Sequence, residues 1–198
     1  MVGECGTKRA MDRRGKRRAA RPLDEAGLEQ LALRYVGRYA TTRAKLAAYL
    51  QRKIKERGWE GRAEPMPTAI AERLAGLGYI DDRAFALAKA SAHSARGLGK
   101  RRLAGALRSA GVVADDGEDA FRLAEDEAFE SALRCARRRR IGPFAAARVI
   151  DRKQRERAVA AMIRAGHRFE LAAAIVDCRA DDPRALDELR ERFASSPD

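Results

Sequence analysis

An internal repeat of a short segment limits the folds open to this chain. Lys100–Val112 (KRRLAGALRSAGV) aligns without gaps with Arg155–His167 (RERAVAAMIRAGH), and Arg43–Leu50 (RAKLAAYL) begins in the same way. Leu107 then stands opposite Met162, and Gly111 stands opposite Gly166. The repeat recurs at a spacing of roughly 55 residues, which accommodates about three short helices with their connections.

Apolar residues recur at intervals of three and four along the repeats. The clearest stripes run through Leu28–Tyr39, Leu46–Ile54 and Ile70–Leu77. This spacing places apolar side chains on one face of an α-helix, and no window alternates as a half-buried strand does. The chain is therefore predicted to be all-α.

Glycines that follow helical runs predict where the helices end, because glycine accepts the left-handed backbone at a helix C-terminus. Together with the repeat, they predict an array of three tandem three-helix units, flanked by a disordered basic N-terminal arm and a polar tail or short helix. The expected boundaries are 1–23 for the arm, 24–81, 82–125 and 126–178 for the units, and 179–198 for the tail.

Positive charge is the second dominant property. The 198 residues hold 42 Lys plus Arg against 29 Asp plus Glu, for a formal net charge of +13. Such an excess favours polyanionic partners, because basic side chains displace counterions from phosphate backbones. The arm is strongly basic over residues 1–21, and two interpretations stay open for it: a solubilising tail, or a segment that reaches onto nucleic acid.

Chemistry-bearing residues are sparse. Cys5, Cys135 and Cys178 show neither paired nor metal-ligand spacing, and His93 and His167 lie near no cysteine at such spacing. We expect no catalytic residues, no metal and no cofactor, hence a protein that is not an enzyme. No membrane span or secretory signal is apparent, which favours the cytoplasm.

One pair of segments resembles the RecX family of RecA regulators. Leu77–Ala86 (LGYIDDRAFA), followed by Arg96–Leu103 (RGLGKRRL), fits the family pattern of a Gly-Tyr-aliphatic-Asp-Asp turn, a Phe-bearing helix and an Arg-Gly-x-Gly basic helix start. The resemblance spans about residues 24–178, but it covers neither the arm nor the extra residues around Trp59. The matching positions are Gly78, Tyr79, Asp81, Asp82, Phe85, Arg96, Gly97 and Gly99.

The resemblance implies an elongated, curved monomer that lies in the groove of the RecA–DNA filament. It further implies modulation, most often inhibition, of RecA ATPase, strand exchange and co-protease activity in recombination, DNA repair and the SOS response. The expected partners are the RecA filament and single- and double-stranded DNA, the latter through phosphate contacts without sequence specificity. A helical nucleic-acid-binding module that acts independently of RecA stays open as the alternative.

Within the motif, Tyr79 and Phe85 are interpreted as packing residues that bridge successive units. Asp81 and Asp82 are interpreted as a cap and a turn acceptor, with Asp82 the candidate cap of the following helix. The segment Arg96–Lys100 lacks the spacing of a phosphate loop and is instead predicted to be a glycine-hinged turn that opens a basic helix.

The predicted RecA- and DNA-binding residues are basic side chains in the second and third units. The arginine run that begins at position 137 has two interpretations: it pairs with the acidic block 115–130, or it lines a groove for DNA or acidic protein surface. Trp59 and Tyr49 are candidates for stacking on bases, with helix-end packing as the alternative for Trp59. The predicted binding residues are Arg96, Lys100, Arg101, Arg102, Arg137, Arg138, Arg139, Arg140, Arg152 and Lys153.

Overall fold

The computed structural model describes residues 21–145, 151–178 and 183–194. Within these ranges the chain forms ten α-helices and one short 3-10 helix, with a single isolated β-bridge between Leu23 and Trp59. The prediction of an all-α fold is confirmed. Most of the predicted N-terminal arm lies outside the described residues.

Helices α1–α3 surround the first core cluster; they span Glu25–Val36, Arg43–Arg57 and Pro67–Gly76. Polar caps set where the first two begin. Asp24 accepts from the Gly27 amide at 2.8 Å, and Thr42 accepts from the Lys45 amide at 3.2 Å. Each cap satisfies an amide that the helix itself leaves without a partner.

Leu23 corrects the predicted end of the arm at residue 23. Its side chain is only 3% exposed within the first cluster. Its amide donates to the Gly58 carbonyl at 3.0 Å, and its carbonyl accepts from the Glu60 amide at 2.8 Å. The folded part therefore includes Leu23, because an apolar side chain directly before α1 can join the core.

Helices α4–α6 surround the second cluster; they span Asp82–Ala95, Lys100–Ser109 and Ala114–Asp126. Asp81 is the cap of α4, since its carboxylate accepts from the Ala84 amide at 2.8 Å. The prediction that Asp82 is the cap is wrong by one position. The core here is thin, built mainly of alanine and leucine side chains.

Helices α7–α9 surround the third cluster and span Ala128–Arg139, Arg152–Arg164 and Phe169–Asp177. The last helix, α10, spans Pro183–Ala194 within the segment predicted as a polar tail or short helix. It is amphipathic: Leu186, Leu189 and Phe193 pack against the third cluster.

The buried apolar residues thus fall into three clusters, one for each group of three helices. Small clusters follow from an alanine-rich sequence with few aromatic side chains, which cannot fill one deep core. The division into three repeats and the elongated, curved shape stay predictions.

Neighbouring helix groups meet through equivalent contacts. At the first junction, the N-cap of α2 meets the turn after α5: Thr42 Oγ1 donates to the Ala110 carbonyl at 2.5 Å. At the second junction, the N-cap of α5 meets the turn after α8: the Gly99 amide donates to the Ala165 carbonyl at 3.0 Å. In the alignment of the repeats, Ala110 and Ala165 are matched positions, so one docking mode is used twice.

Candidate functional site

The candidate site lies where the turn between α4 and α5 packs against α7. Gly97 lies in this turn with a φ of 67°, and a Cβ there would lie 2.6 Å from the amide nitrogen of Cys135. Only glycine combines this backbone conformation with such a close approach. The turn therefore rests directly on the backbone of α7.

The start of α5 packs equally closely on the turn after α8. A Cβ on Gly99 would lie 2.4 Å from the carbonyl oxygen of Gly166, and the Arg101 amide donates to that same oxygen at 3.3 Å. The prediction that this segment forms a glycine-containing turn that opens a basic helix is confirmed, since α5 begins at Lys100. Backbone contacts on both sides hold the turn in place, so it presents its side chains from a fixed support.

His167 is buried within this junction. Its side chain is only 3% exposed, and Nε2 donates to the Gly97 carbonyl at 3.1 Å. Burial lowers the pKa of His167, although the hydrogen bond to the carbonyl opposes that change. The imidazole is consequently neutral at neutral pH and acts as a structural donor.

Arg134 attaches α7 to the end of α4. Its guanidinium donates to the carbonyl of Ser94 and to the carboxylate of Glu127, each at 2.8 Å. Cys135, the next residue, is buried beneath the turn, and burial raises the pKa of its thiol despite the nearby Arg139 and Arg138. A thiol kept protonated is a poor nucleophile, which agrees with the interpretation of Cys135 as a small core residue.

Three of the predicted binding residues surround a shallow pocket over this junction. The pocket has a volume of about 220 Å³ and is lined by Arg96, Arg138 and Arg139, with Cys135 at its base among other residues. The Arg138 guanidinium donates to the Arg96 carbonyl at 2.5 Å, which fixes the two chain segments side by side. Residues from distant parts of the sequence therefore meet here.

The first turn of α5 contributes Lys100, Arg101 and Arg102, all exposed. Lys100 is paired with Glu125 on α6. Within the described ranges, Arg101 and Arg102 form no ion pair. We use the name junction surface for the basic residues Arg96, Arg101, Arg102, Arg138 and Arg139.

The remaining predicted residues lie elsewhere on the third helix group and do not line the pocket. Arg137 lies over the Phe144 ring, with its guanidinium carbon 5.0 Å from the centroid. Arg140 adopts a left-handed backbone after α7, and Lys153 is exposed near the start of α8. Arg152 pairs with Glu156 at 2.8 Å.

The acidic block 115–130 is used for other contacts. Asp116 pairs with Arg43 at 2.5 Å, Glu127 with Arg134 at 2.8 Å and Glu130 with Arg190 at 3.0 Å. Among the residues that the structure describes, none of these carboxylates pairs with the arginine run 137–140. The interpretation that this run neutralises the block is wrong, which leaves the arginines available to other anions.

The Gly-Tyr-Ile-Asp-Asp turn shapes the first junction. The Asp82 carboxylate is buried, accepts from the Arg43 amide at 3.0 Å and pairs with the Arg43 guanidinium at 3.2 Å. Phe85 lies below Lys45 of α2, whose Nζ is 4.8 Å from the ring centroid, in agreement with a bridging role. Tyr79 is 58% exposed, so the prediction that it packs between units is wrong.

Arg43 was missed by reasoning from sequence alone. It accompanies the N-cap Thr42 at the start of α2, a position that the repeat alignment marks only as the beginning of a basic helix. Its role depends on Asp82 and Asp116, which belong to other helices, so no local pattern reveals it.

Trp59 is held in place by its own loop. Its Nε1 donates to the Ala63 carbonyl at 2.9 Å, and the ring packs against the first cluster. This favours the interpretation of Trp59 as a packing residue.

Two kinds of feature are absent from the described residues. No group of three or more His, Cys, Asp or Glu side chains there is placed to hold a metal ion. Across those same ranges, no helix has both the length and the apolar character needed to cross a membrane.

These features define a class of protein: an all-helical chain with thin successive cores and a basic surface supported by a glycine-packed junction. The chain is 34% identical to the regulatory protein RecX of Myxococcus xanthus (strain DK1622) over 177 residues, which is 84% of this chain and 94% of that protein. The chain belongs to the RecX family.

Two further relatives match over shorter segments. The regulatory protein RecX of Mycobacterium sp. (strain KMS) is 38% identical over 92 residues, 46% of this chain and 49% of that protein. That of Mycobacteroides abscessus is 33% identical over 108 residues, 54% of this chain and 50% of that protein. No family model matches the chain. No solved structure matches it either.

Proposed function

We propose that this chain binds the RecA–DNA filament and modulates RecA activity by inhibition. The activities concerned are the ATPase, strand exchange and co-protease activity of RecA. The chain acts in recombination, DNA repair and the SOS response, as a cytoplasmic monomer. The observation that carries the proposal is the junction surface, whose exposed arginines stand on a backbone-packed support and have no carboxylate partner among the described residues.

The chemistry of these arginines suits both components of a nucleoprotein filament. A guanidinium offers a planar fork of donors that fits phosphate and carboxylate oxygens equally well. A filament displays both groups, from DNA and from acidic protein side chains. Because backbone contacts hold the support in place, little backbone freedom is lost on binding.

Regulation then follows from differential affinity. A ligand that contacts neighbouring RecA protomers favours the filament state that it fits best, and shifts the population toward that state. Electrostatic attraction accelerates the encounter, while the fixed geometry of the junction determines which state is fitted.

Charge reversal at the junction surface tests the proposal. The double variant Arg101→Glu plus Arg102→Glu changes two exposed residues that form no ion pair with the described part of the chain. Lys100 stays unchanged, because reversing its charge would place two acids together. We expect inhibition of the DNA-dependent ATPase of RecA to require at least about tenfold more of this variant, since two charge-assisted contacts become repulsive.

The matched control is Lys55→Glu plus Arg62→Glu, which makes the same change in net charge on the first helix group. Both residues are exposed and have no ion pair with any described residue. It should inhibit within about twofold of the wild type, because the change in net charge by itself weakens long-range attraction only slightly. Equal losses from both double variants would remove the junction surface from the account.

The alternative, a nucleic-acid-binding module that acts without RecA, is supported by the same arginines, because DNA phosphate suits them as well as protein carboxylate does. Salt does not separate the two modes, since both weaken as ionic strength rises. Competition by bare DNA does separate them, because only a chain that recognises the filament itself stays bound to it when bare DNA is in excess.

A further inference from the structure

Three tyrosine rings, from α1, the turn that follows it and α2, lie in contact with one another. The rings of Tyr35 and Tyr49 are stacked, with centroids 4.3 Å apart and planes inclined by 25°. Tyr39, in the turn that follows α1, extends the row at 5.3 Å from Tyr35. We call these three residues the tyrosine platform.

Cations surround the platform. The guanidinium carbon of Arg38 lies 5.5 Å from the centroid of Tyr39, and that of Arg52 lies 5.6 Å from the centroid of Tyr49. Lys53 Nζ lies 5.8 Å from the same Tyr49 centroid. Arg52 and Lys53 share Glu56 as a partner, whereas Arg38 forms no ion pair among the described residues.

One end of the tyrosine platform, at Tyr39, is exposed to solvent. Tyr35 and Tyr49 are half-buried and pack against the first core cluster, but Tyr39 is 50% exposed and lies outside it. The row therefore begins in the core and ends at the surface. A large aromatic side chain that stabilises no core is available for a partner.

We propose that the tyrosine platform binds unpaired bases of single-stranded nucleic acid. Every base has a π-face that stacks on an aromatic ring, and Arg38 is placed to contact a phosphate or to stack in turn on the base. In a duplex these faces are occupied by neighbouring bases, so the platform distinguishes single from double strands. This inference goes beyond the proposed function, which requires only contacts to phosphates and carboxylates.

A protein partner is the less favoured occupant. An acidic peptide would be attracted by Arg38, but it would leave the face of Tyr39 without a planar partner. A ligand with planar groups and negative charge uses both the ring face of Tyr39 and the charge of Arg38. Single-stranded nucleic acid has both properties, whatever its base sequence.

The test compares two probes of equal length and charge, a fluorescent oligothymidylate and an abasic oligonucleotide, in anisotropy titrations with the full chain. Tyr39→Ala should weaken binding of oligothymidylate about fivefold or more, because one stacked base is lost. Binding of the abasic strand should not change. Tyr39→Phe, which keeps the ring, should bind both probes like the wild type.

Tyr79→Ala is the matched control. Tyr79 is exposed to a similar degree but has no stacked ring or cation among the described contacts, so this variant should bind both probes like the wild type. Equal losses for Tyr39→Ala on both probes, or none on either, would overturn the proposal. It would also be overturned if Tyr39→Ala weakened binding to DNA-free RecA and left oligothymidylate binding intact, since the platform would then bind protein.

Failure of this inference is separable from failure of the proposed function. Tyr39→Ala should leave the slope of log affinity against log salt unchanged, because stacking releases no counterions. The variant Arg101→Glu plus Arg102→Glu should reduce that slope while keeping its preference for the strand that carries bases.

Discussion

At the two junctions, the role of a single residue is set by contacts with residues far away in the sequence. His167 is a lone histidine with no neighbouring ligand, and sequence reasoning assigned it no role. The structure places its ring beneath the α4–α5 turn, where its only described polar partner is the Gly97 carbonyl. A buried neutral donor of this kind links stability to pH.

The direction of this pH dependence follows from the lowered pKa of His167. In the unfolded chain, histidine takes up a proton near pH 6.5, whereas the folded protein resists protonation until a lower pH. The unfolded state therefore binds more protons as pH falls below 6.5, and the free energy of unfolding decreases by at most about 1.4 kcal/mol per pH unit. Below the folded pKa the loss stops growing.

We predict that His167→Gln flattens this acid-side loss, because an amide keeps a donor for the Gly97 carbonyl but does not titrate. Urea unfolding at pH values above and below 6.5 measures the difference. His93→Gln is the control, since burial also lowers the pKa of His93 but its ring is only half-buried. A flattening greater for His93→Gln than for His167→Gln would contradict the structural role of His167.

At the scale of helices and turns, the molecule repeats one way of docking. The N-cap of the second helix in one group meets the turn after the second helix in the next, first through Thr42 and then through Gly99. A hydroxyl performs at one junction what a backbone amide performs at the other. The second junction is therefore a direct contact between backbones, and it depends on the absence of a side chain at Gly99.

Gly99, the N-cap of α5, and Gly105 within that helix provide a matched pair to test this contact. Gly99→Ala introduces a Cβ about 2.4 Å from the Gly166 carbonyl oxygen, so we expect the free energy of unfolding to fall by about 1–3 kcal/mol. Gly105 lies in the middle of the helix, and a Cβ there would meet nothing within 4 Å. We therefore expect Gly105→Ala to raise the free energy of unfolding by about 0.5–1 kcal/mol. Urea unfolding gives both values, and effects of the same sign would contradict the packed junction.

Helices were predictable because their signals are local. Apolar spacing gave the stripes of α1–α3, and the repeat gave the relation between α5 and α8. Contacts between groups were not predictable, as the exposure of Tyr79 and the close packing of Gly97 on α7 demonstrate. Exposure of Tyr79 and packing of Gly97 are decided by how neighbouring helices dock, and neither residue's own sequence context encodes that.

The types of residue in the candidate site were predictable from the sequence, but which individual residues belong to it was not. Clustered arginines pointed to an anionic partner, and Arg96, Arg138 and Arg139 do meet around one pocket. Arg152 and Lys153 seemed equivalent in sequence, yet they lie outside it. Charge counts do not reveal which cations are neutralised, and Lys100 is paired because α6 brings Glu125 beside it.

Over the whole molecule, the excess positive charge is unevenly available. The acidic block 115–130 is occupied by partners such as Arg43, Arg134 and Arg190 within the described ranges. The junction surface keeps its arginines, and the tyrosine platform lies apart from it on the first helix group. This arrangement suits a partner that presents phosphate, protein surface and unpaired bases together, which a nucleoprotein filament does.

Competition for the filament tests this central claim most directly. The labelled chain is titrated with RecA filaments on single-stranded DNA, and bare DNA of the same sequence is then added in large excess. We expect saturable binding that survives the excess DNA. Arg101→Glu plus Arg102→Glu should reduce the affinity for the filament, and Lys55→Glu plus Arg62→Glu should retain it. Transfer of the chain to bare DNA in proportion to its concentration would contradict the account and establish the RecA-independent alternative.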